Sequence, residues 1–387
     1  MIRKTDEVTC SSTSKRLSVL VLTHLFPSSA APGRGSFVKE QCEALAQVCD
    51  VSVVTGRWDI AARTEESTPE GIRVISLPLA APRALPSAMR VAAAVPGYIR
   101  AALREIEAMP SRPDIIHAHF AVPDGVTAVR VGARAHIPVV VTLHGSDFNR
   151  QMTRPVVGRW VAKEISRAQA IIGVSRQLAE GYARRVPQAA DRVTFIHNGY
   201  NARLFSYEPK ASAGPFLFIG ALKPVKQPLV LIEAFARIAP HTQRDLVVIG
   251  EGPLRDEVML AVDMHGLRDR VHLLGQIPHD LLPQHLHQAA ALVLPSRTEG
   301  FGMVVIESLA TGTPVIASAV GAIPDLITPG LSGMLVTPGD VDGLAAAMQQ
   351  AEQTTWDNET IAQQAPVIDW TENARRVIKL YQRVLGD

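Results

Sequence analysis

Two glutamates close to a glycine-rich turn have the residue types and the spacing needed to bind a phosphorylated sugar. The segment 295–313 reads PSRTEGFGMVVIESLATGT, and seven residues separate Glu299 from Glu307. Gly300 and Gly302 leave backbone N–H groups exposed just before a predicted helix, and such a helix N-terminus suits a diphosphate. A carboxylate in the turn can address a sugar, and one within the helix can accept hydrogen bonds from ribose hydroxyls. An ordinary capped helix with two solvated glutamates explains the local pattern equally well.

The elements that must hold this segment are short apolar runs that alternate with helical patterns. The runs are nearly continuous in Val, Ile and Leu, as expected for parallel strands covered on both faces. In the first half we predict strands at 17–22, 51–54, 72–77, 115–119, 139–143, 171–174 and 193–196, and helices at 36–48 and 158–169. After a stretch rich in Pro, Gly and polar residues at 205–215, we predict strands at 216–219, 246–249, 271–274, 292–294, 315–317 and 334–336, and helices at 228–239, 253–265, 303–311 and 340–351. Strands spaced by helices predict an α/β fold with doubly wound sheets, whose ligands bind beyond the carboxyl ends of the strands.

The alternation divides the chain into two similar domains and two terminal segments. We predict a loose N-terminal tail at 1–16, an N-terminal Rossmann-like domain at 17–205, a C-terminal Rossmann-like domain at 212–367, and a C-terminal helix at 368–387. The last helix is amphipathic, starts with Asp369 or Thr371 as its N-cap, and is expected to cross back to the first domain.

The composition excludes several classes of protein. The chain has 387 residues and a formal net charge of +2, from 39 basic and 37 acidic residues, whereas a nucleic-acid-binding protein usually presents a concentrated basic face. The three cysteines, Cys10, Cys42 and Cys49, form no C-x-x-C pair and indicate free thiols in a reducing compartment. Residues 1–16 lack the apolar region of a secretory signal, and no run reaches the ~18 apolar residues of a membrane-spanning helix. We therefore expect a cytoplasmic protein.

The segment with the two glutamates resembles a known family. The pattern E-G-F-G-x-x-x-x-E-S-L-A-x-G-x-P-V-I-A-S runs from Glu299 to Ser318 and resembles the Glu-x7-Glu motif of retaining family-4 glycosyltransferases. These have the GT-B fold, two Rossmann-like domains that face a central cleft, and the resemblance covers about 17–387. It implies a retaining transferase that moves a sugar from a UDP- or GDP-sugar to a glycan or lipid-linked acceptor. The stretches FPSSAAPGRGSFVKEQ, HAHFAVPDG and TLHGSD resemble the subgroup for teichuronic-acid-type and exopolysaccharide synthesis.

The resemblance assigns catalytic roles to Glu299 and His144 and a donor-binding role to Glu307. Glu299 would lie near the donor sugar, while Glu307 would bind the ribose. The segment from His144 to Asp147 matches the H-G-x-D element of the family, whose histidine lies near the donor sugar and the acceptor hydroxyl. Asp147 would orient this histidine or cap the next helix.

The other residues that the resemblance assigns would bind the donor. Amides in the glycine turn would face the diphosphate, the G-E-G-P turn would lie near the base, and a lysine and a glycine loop would approach the phosphates. These candidates are Gly35, Lys226, Gly252, Phe301, Gly302, Met303 and Val304, with Gly33 and Lys223 as secondary candidates.

One position departs from the family pattern. Many members have an arginine directly after the glycine that corresponds to Gly220, and this arginine pairs with the diphosphate, whereas this chain has Ala221. Lys223 or Lys226 must then supply the charge, and an ammonium cannot replace the bidentate fork of a guanidinium. The change to Ala221 would lower the affinity for phosphate. It does not by itself indicate an inactive protein, because the helix N-terminus still provides hydrogen-bond donors.

No metal ion and no cofactor is expected. The D-x-D sequence at Asp340 follows Pro-Gly and precedes a helix, so we interpret Asp340 as an N-cap. His117 and His119 lie on one strand without an accompanying Cys or carboxylate cluster, which favours a place in the core or at the cleft. We expect His279 on a polar helix face. Positive dipoles and lysines would stabilise the leaving diphosphate instead of a metal.

The segment 83–104, RALPSAMRVAAAVPGYIRAALR, is basic and moderately apolar and is interrupted by Pro96. It is either an ordinary helix packed on the sheet or a contact with the inner membrane surface, as in family members that glycosylate lipid-linked acceptors. The second interpretation would make the protein peripheral on that membrane.

Two other functions stay open at the level of sequence. A UDP-sugar 2-epimerase-type enzyme has the same fold, but the pattern at 299–318 speaks against it. A non-catalytic nucleotide-sugar-binding protein is supported only by Ala221. The two motif glutamates, Lys226 and His144 all weigh against this second alternative.

Overall fold

The first half of the chain forms a mostly parallel sheet. The computed structural model describes residues 16–28, 31, 33–145, 154–209 and 214–386. The strands of the first sheet are β1 (Leu17–Thr23), β2 (Cys49–Arg57), β3 (Thr64–Ser67), β4 (Arg73–Pro78), β5 (Ile115–His119), β6 (Val139–Leu143), β7 (Ala170–Gly173) and β8 (Val193–Phe195). Their order is β3-β4-β2-β1-β5-β6-β7-β8, and β3 runs antiparallel to β4 while the other neighbours are parallel.

Helices cover both faces of this sheet. They are α1 (Ser36–Ala46), α2 (Ser87–Glu107), α3 (Val126–Ala135), α4 (Pro155–Ile165) and α5 (Arg176–Arg185). Every residue of β5 and β6 is buried, so no polar face is needed along either strand. The near-continuous apolar runs in the sequence are therefore explained by two-sided burial.

The strands predicted from apolar runs are confirmed to within a few residues, and the differences have local causes. All four residues of β3 are exposed and polar, so this edge strand carries no apolar signal. The helix predicted at 158–169 begins earlier, at Pro155, because proline is well suited to the first turn of a helix. The segment that contains Pro96 forms a helix, as one of its two interpretations predicted. The helix α2 continues through this exposed residue, where water can satisfy the carbonyl group that the missing N–H leaves unpaired.

The second half of the chain repeats the architecture. After the short strand β9 (Gly199–Tyr200) come β10 (Phe216–Ile219), β11 (Leu246–Ile249), β12 (Val271–Gly275), β13 (Ala291–Leu294), β14 (Val315–Ser318) and β15 (Gly333–Val336). These last six strands form a parallel sheet in the order β12-β11-β10-β13-β14-β15. Its helices are α6 (Pro228–Ile238), α7 (Arg255–Met264), α8 (Leu282–Gln288), α9 (Met303–Ala310), α10 (Ile323–Leu326), α11 (Val341–Gln353) and α12 (Asn358–Gln364).

The end of the chain lies on the first sheet. The strand β16 (Ile368–Asp369) pairs with β9, and α13 (Trp370–Leu385) packs against α1. Asp369 is the N-cap of α13 and accepts a hydrogen bond from the backbone of Glu372 at 2.7 Å. The hydroxyl of the fully buried Tyr381 lies 2.6 Å from Nδ1 of His117 on β5. A buried hydrogen bond from Gln41 to Asn373 joins α1 to α13 at 2.6 Å.

The carboxyl ends of the two sheets meet at a pair of glycines. Gly145 follows β6 of the first sheet, and Gly300 follows β13 of the second. A Cβ atom built on Gly145 would lie 2.3 Å from Cα of Gly300, so neither position has room for a side chain. The residues that follow the strands of both sheets therefore line one cleft.

None of the helices in the described part of the chain is long and apolar enough to cross a membrane.

The packing of Tyr381 generates a stability prediction. Tyr381→Ala removes a fully buried ring, and we expect the free energy of unfolding to fall by about 3–5 kcal/mol. Tyr381→Phe keeps the ring and removes only the bond to His117, so we expect a loss of about 1–2 kcal/mol. Urea denaturation of both variants measures the two values. Equal losses would show that the ring itself does not anchor α13 to the first sheet.

Candidate active site

Glu299 is held by two donors at the carboxyl end of β13. Its carboxylate is almost buried, and its Oε1 accepts hydrogen bonds from Nζ of Lys226 at 2.5 Å and from Oγ of Ser296 at 2.6 Å. Lys226 ends a short turn after β10, the neighbouring strand of the sheet. The charge of a buried carboxylate is thus compensated by an ammonium and a hydroxyl from adjacent elements.

The glycine turn places a helix N-terminus beside this carboxylate. Gly302 is the N-cap of α9 with φ of 88°, a backbone conformation that other residues rarely adopt. The first amides of a helix have no acceptor within it, so the N–H groups of Met303 and Val304 are available to a ligand. The ring of Phe301 is buried and contacts His197 at 5.3 Å between centroids. The turn thus combines a fixed carboxylate with unsatisfied backbone donors.

Glu307 lies one turn into α9 and is also paired. Nε2 of His279, in the turn after β12, donates to Oε1 of Glu307 at 2.9 Å. On its other side, Nδ1 of His279 lies 3.9 Å from Glu40 of α1, which accepts a hydrogen bond from Trp370 at 2.8 Å. The expectation that His279 lies on a polar helix face was wrong. His279 links Glu307 in the second domain to Glu40 in the first domain, a contact that no local sequence pattern predicts.

His144 lies in a buried cluster of rings. Its Nε2 is 3.0 Å from Nδ1 of His119, and its ring contacts Phe37 and Phe120 at 4.9 and 4.7 Å between centroids. Burial, helped by the charges of His117 and His24, lowers the pKa of His144 to about 3. His144 is therefore neutral at neutral pH and offers a hydrogen bond rather than a charge.

Two predicted glycines are required by the backbone. Gly35 is the N-cap of α1 with φ of 74°, and a Cβ atom there would lie 2.4 Å from the carbonyl oxygen of Leu25. A Cβ atom on Gly252 would lie 2.3 Å from the carbonyl oxygen of Leu222. Gly33, in contrast, is exposed and has open space around it.

The remaining predictions have different outcomes. Lys223 is exposed at the start of the turn that holds Lys226, so both lysines stand at the same edge of the sheet. Asp147 lies outside the described residues. Asp340 caps α11 through a hydrogen bond from the backbone of Gly343 at 2.9 Å, which confirms its interpretation as an N-cap. Across the described ranges, no three His, Cys, Asp or Glu side chains are placed to hold a metal ion.

One polar pair at the cleft was missed by the sequence analysis. His24 directly follows β1 and Asp124 follows β5, and Nδ1 of His24 lies 2.5 Å from Oδ2 of Asp124. The strands β1 and β5 are neighbours, and polar residues after neighbouring parallel strands meet at the same edge. This rule could have identified both residues. Both also lie in stretches that the family resemblance covers.

The paired state of His279 generates a pH prediction. Burial alone would lower the pKa of His279, but its hydrogen bond and charge interactions with Glu307, aided by Glu40, raise it above 6.5. A raised pKa stabilises the folded state at low pH, and this contribution is lost as the pH rises through the raised value. We therefore expect the stability difference between the wild type and His279→Gln to shrink from about pH 6 to about pH 9. Urea titrations across this range measure it, with the exposed His265→Gln as the control; a difference that grows with pH contradicts the assignment.

Comparison with known proteins places both halves of the chain among glycosyltransferases. The family model described as Glycosyltransferase Family 4 matches residues 33–204, and the model described as Glycosyl transferases group 1 matches 206–367. A Bacillus subtilis protein named TuaC, provisionally assigned as a teichuronic acid biosynthesis glycosyltransferase, is 29% identical over 363 residues, which cover 87% of this chain and 89% of that protein. Other curated relatives, at 29–31% identity, are matched over only 60–63% of their length.

Solved structures share the architecture over almost the whole chain. The sucrose-phosphate synthase of Thermosynechococcus elongatus superposes with a TM-score of 0.77 at 26% identity, covering 95% of this chain and 99% of that one. The HepE protein of Anabaena, solved in complex with UDP, gives a TM-score of 0.67 at 20% identity over 96% of this chain and 99% of that one, a likeness of fold alone. The chain therefore belongs to the group 1 and family 4 glycosyltransferases and has their GT-B fold, two Rossmann-like domains that face a central cleft.

Proposed function

We propose that this protein is a retaining hexosyltransferase that moves a sugar from a UDP- or GDP-sugar to a glycan or lipid-linked acceptor and needs no metal ion. The observation that carries the proposal is the partly buried Glu299–Lys226 pair, which lies at the N-terminus of α9 and faces the loop of His144 across the cleft. This arrangement supplies a carboxylate for a sugar and positive groups for a diphosphate in one place.

The diphosphate would bind between the helix N-terminus and Lys226. Free amides and the helix dipole favour an anion at the start of α9. An ammonium has three donors, and Lys226 uses one of them on Glu299. The other two can point at phosphate oxygens, so Lys226 can serve both partners without the arginine that Ala221 replaces. The fold shared with HepE, which was solved with UDP, supports a nucleotide as part of the donor.

The sugar would lie between Glu299 and His144. The loops of these residues touch at Gly145 and Gly300, so a sugar bound there would have protein on two sides, which would limit the access of water to the anomeric carbon. The neutral imidazole of His144 can hydrogen-bond a sugar hydroxyl, and the carboxylate of Glu299 can accept one. Backbone donors at α9 would stabilise the negative charge that develops on the leaving phosphate.

The acceptor would approach from the first domain. The likeness to TuaC over most of both chains supports a cell-surface polysaccharide as the product. The helix α2 exposes Met89, Arg100 and Arg104, an arrangement that suits the anionic surface of the inner membrane. A cytoplasmic enzyme held at that surface would meet a lipid-linked acceptor there.

A thermal-shift panel with UDP-, GDP- and ADP-sugars, without added metal, tests donor binding. One donor class should stabilise the wild type, by about 2.7 kcal/mol at 100 times its dissociation constant. Glu307→Gln and Lys226→Ala should lose most of this response because each removes a group that contacts the nucleotide. Lys379→Ala, on the exposed face of α13, is the matched control and should keep it. The absence of any shift for the wild type would contradict the transferase proposal.

The product of the reaction then tests the chemistry. The anomeric configuration of the product, measured by NMR, should equal that of the donor, and the rate should be unchanged by EDTA. Conversion of UDP-N-acetylglucosamine into its 2-epimer without an acceptor would support the epimerase alternative instead. Binding without turnover on any acceptor would support the non-catalytic one.

Glu299→Gln separates binding from turnover. The amide keeps the shape but removes the charge that faces Lys226 and the sugar, so we expect turnover to fall by about 10²–10³-fold with donor affinity changed less than about tenfold. Release of the nucleoside diphosphate measures the rate. Glu359→Gln, on the exposed α12, serves as the control. A Glu299→Gln variant with wild-type turnover would remove Glu299 from the reaction.

A further inference from the structure

His279 lies between two carboxylates that belong to different domains. Its Nε2 donates to Oε1 of Glu307 on α9 at 2.9 Å, and its Nδ1 lies 3.9 Å from Oε1 of Glu40 on α1. The first contact is a hydrogen bond, whereas the second is too long for one and is an interaction between charges. One imidazole therefore connects the helix assigned to the nucleotide with the first helix of the other domain.

Two further residues hold this arrangement in place. The ring of His279 contacts the fully buried ring of Phe205 at 5.2 Å between centroids. Nε1 of Trp370, the first residue of α13, donates to Oε2 of Glu40 at 2.8 Å. The position of His279 is therefore set by residues outside α9, and through its hydrogen bond His279 in turn sets the position of the Glu307 carboxylate.

Without His279 the two carboxylates would repel each other. Burial is the main cause that raises the pKa of Glu40, and the charge of Glu307 adds to this rise, whereas Trp370 and His279 oppose it. Glu307 is itself buried, so its charge needs a compensating partner. Although burial lowers the pKa of His279, its hydrogen bond and charge interaction with Glu307 raise it overall. His279 is thus the partner that both carboxylates share.

We infer that His279 is the positioning residue that directs the carboxylate of Glu307 to the ribose of the nucleotide. The inference rests on the proposed function, in which Glu307 contacts the nucleotide. A glutamate side chain has many rotamers, and one that is fixed before the ligand arrives loses less entropy on binding. A carboxylate can accept about four hydrogen bonds, so the bond to His279 leaves acceptors for both ribose hydroxyls. Recognition of the ribose then depends on a residue that acts only through Glu307.

Nucleotides that lack one ribose hydroxyl give a readout that a general loss of structure does not change. Calorimetric titration measures the Kd of the nucleoside diphosphate of the donor selected above, and of its 2′-deoxy and 3′-deoxy forms. For at least one deoxy form, we expect the wild type to bind the ribonucleotide about tenfold more tightly or better, because a hydrogen bond to a buried carboxylate is lost. His279→Leu removes the imidazole donor and should lower this ratio to about threefold or less.

Two further substitutions distinguish the two nitrogens of the imidazole. A glutamine amide can stand where Nε2 stands, so His279→Gln keeps a donor for Glu307 and should keep most of the ratio. An asparagine amide reaches only as far as Nδ1, so His279→Asn should lose the ratio as His279→Leu does. This pair also gives the test if His279→Leu does not fold. His265→Leu, at the exposed position directly after α7, is the control and should leave the ratio unchanged.

A double substitution tests whether the effect passes through Glu307. In a Glu307→Gln background, His279→Leu should change the Kd of the ribonucleotide by less than about twofold, because the group that His279 directs is already altered. A loss in this background as large as in the wild-type background would show that His279 acts independently of Glu307, which overturns the inference.

The other outcomes separate this inference from the proposed function. A wild type that binds no nucleotide sugar overturns both. A wild type that binds its donor but does not distinguish the ribonucleotide from the deoxy forms overturns only the role of His279, and so do His279→Leu and His279→Asn variants that keep the wild-type ratio. An equal loss of affinity for the ribonucleotide and both deoxy forms overturns this role as well, because His279 would then support the fold of the site rather than the direction of Glu307.

Discussion

Gly145 and Gly300 set how close the two halves of this molecule can come. Each lies in the loop after a strand of its sheet; a methyl group on Gly145 would collide with Cα of Gly300, and one on Gly300 would collide with the carbonyl oxygen of His144. His144 and Glu299 directly precede these glycines, so the same contact fixes the spacing of the two candidate catalytic side chains. The strand positions in each sheet define where each loop begins, and the glycine contact brings the loops together.

Around this contact, each buried acidic group has a partner from a different element. Glu299 is paired with Lys226, Glu307 with His279, and Asp124 with His24. Removal of an ionised carboxylate from water is costly unless another group compensates its charge. The distribution of partners over separate loops means that each carboxylate also ties two loops together. The same pairs therefore compensate the charges of the carboxylates and fix the positions of the loops that line the cleft.

The fold was predictable because its strands are buried on both faces and their apolar runs are visible without any partner. The strand β3 was missed for the opposite reason, since its residues are polar and exposed. The N-cap roles of Asp340 and Asp369 depend on the next few residues and followed from the sequence. The pairs His24–Asp124 and His279–Glu307 did not, because their members are 100 and 28 residues apart. The glycine turn at α9 was predictable only in part. Its sequence pattern is local, whereas its position opposite His144 depends on how the two domains pack.

The return of α13 to the first sheet has a consequence for the order in which the molecule is made. The hydroxyl of Tyr381 reaches His117, and Asn373 reaches Gln41, so the first half is completed by residues that follow the second half in the sequence. During synthesis the second half can fold from residues that are already contiguous, whereas the first half must wait with one face uncovered. The turns of α13 thus finish the domain that was begun first, and a chain stopped before them would carry an exposed apolar face on its oldest part.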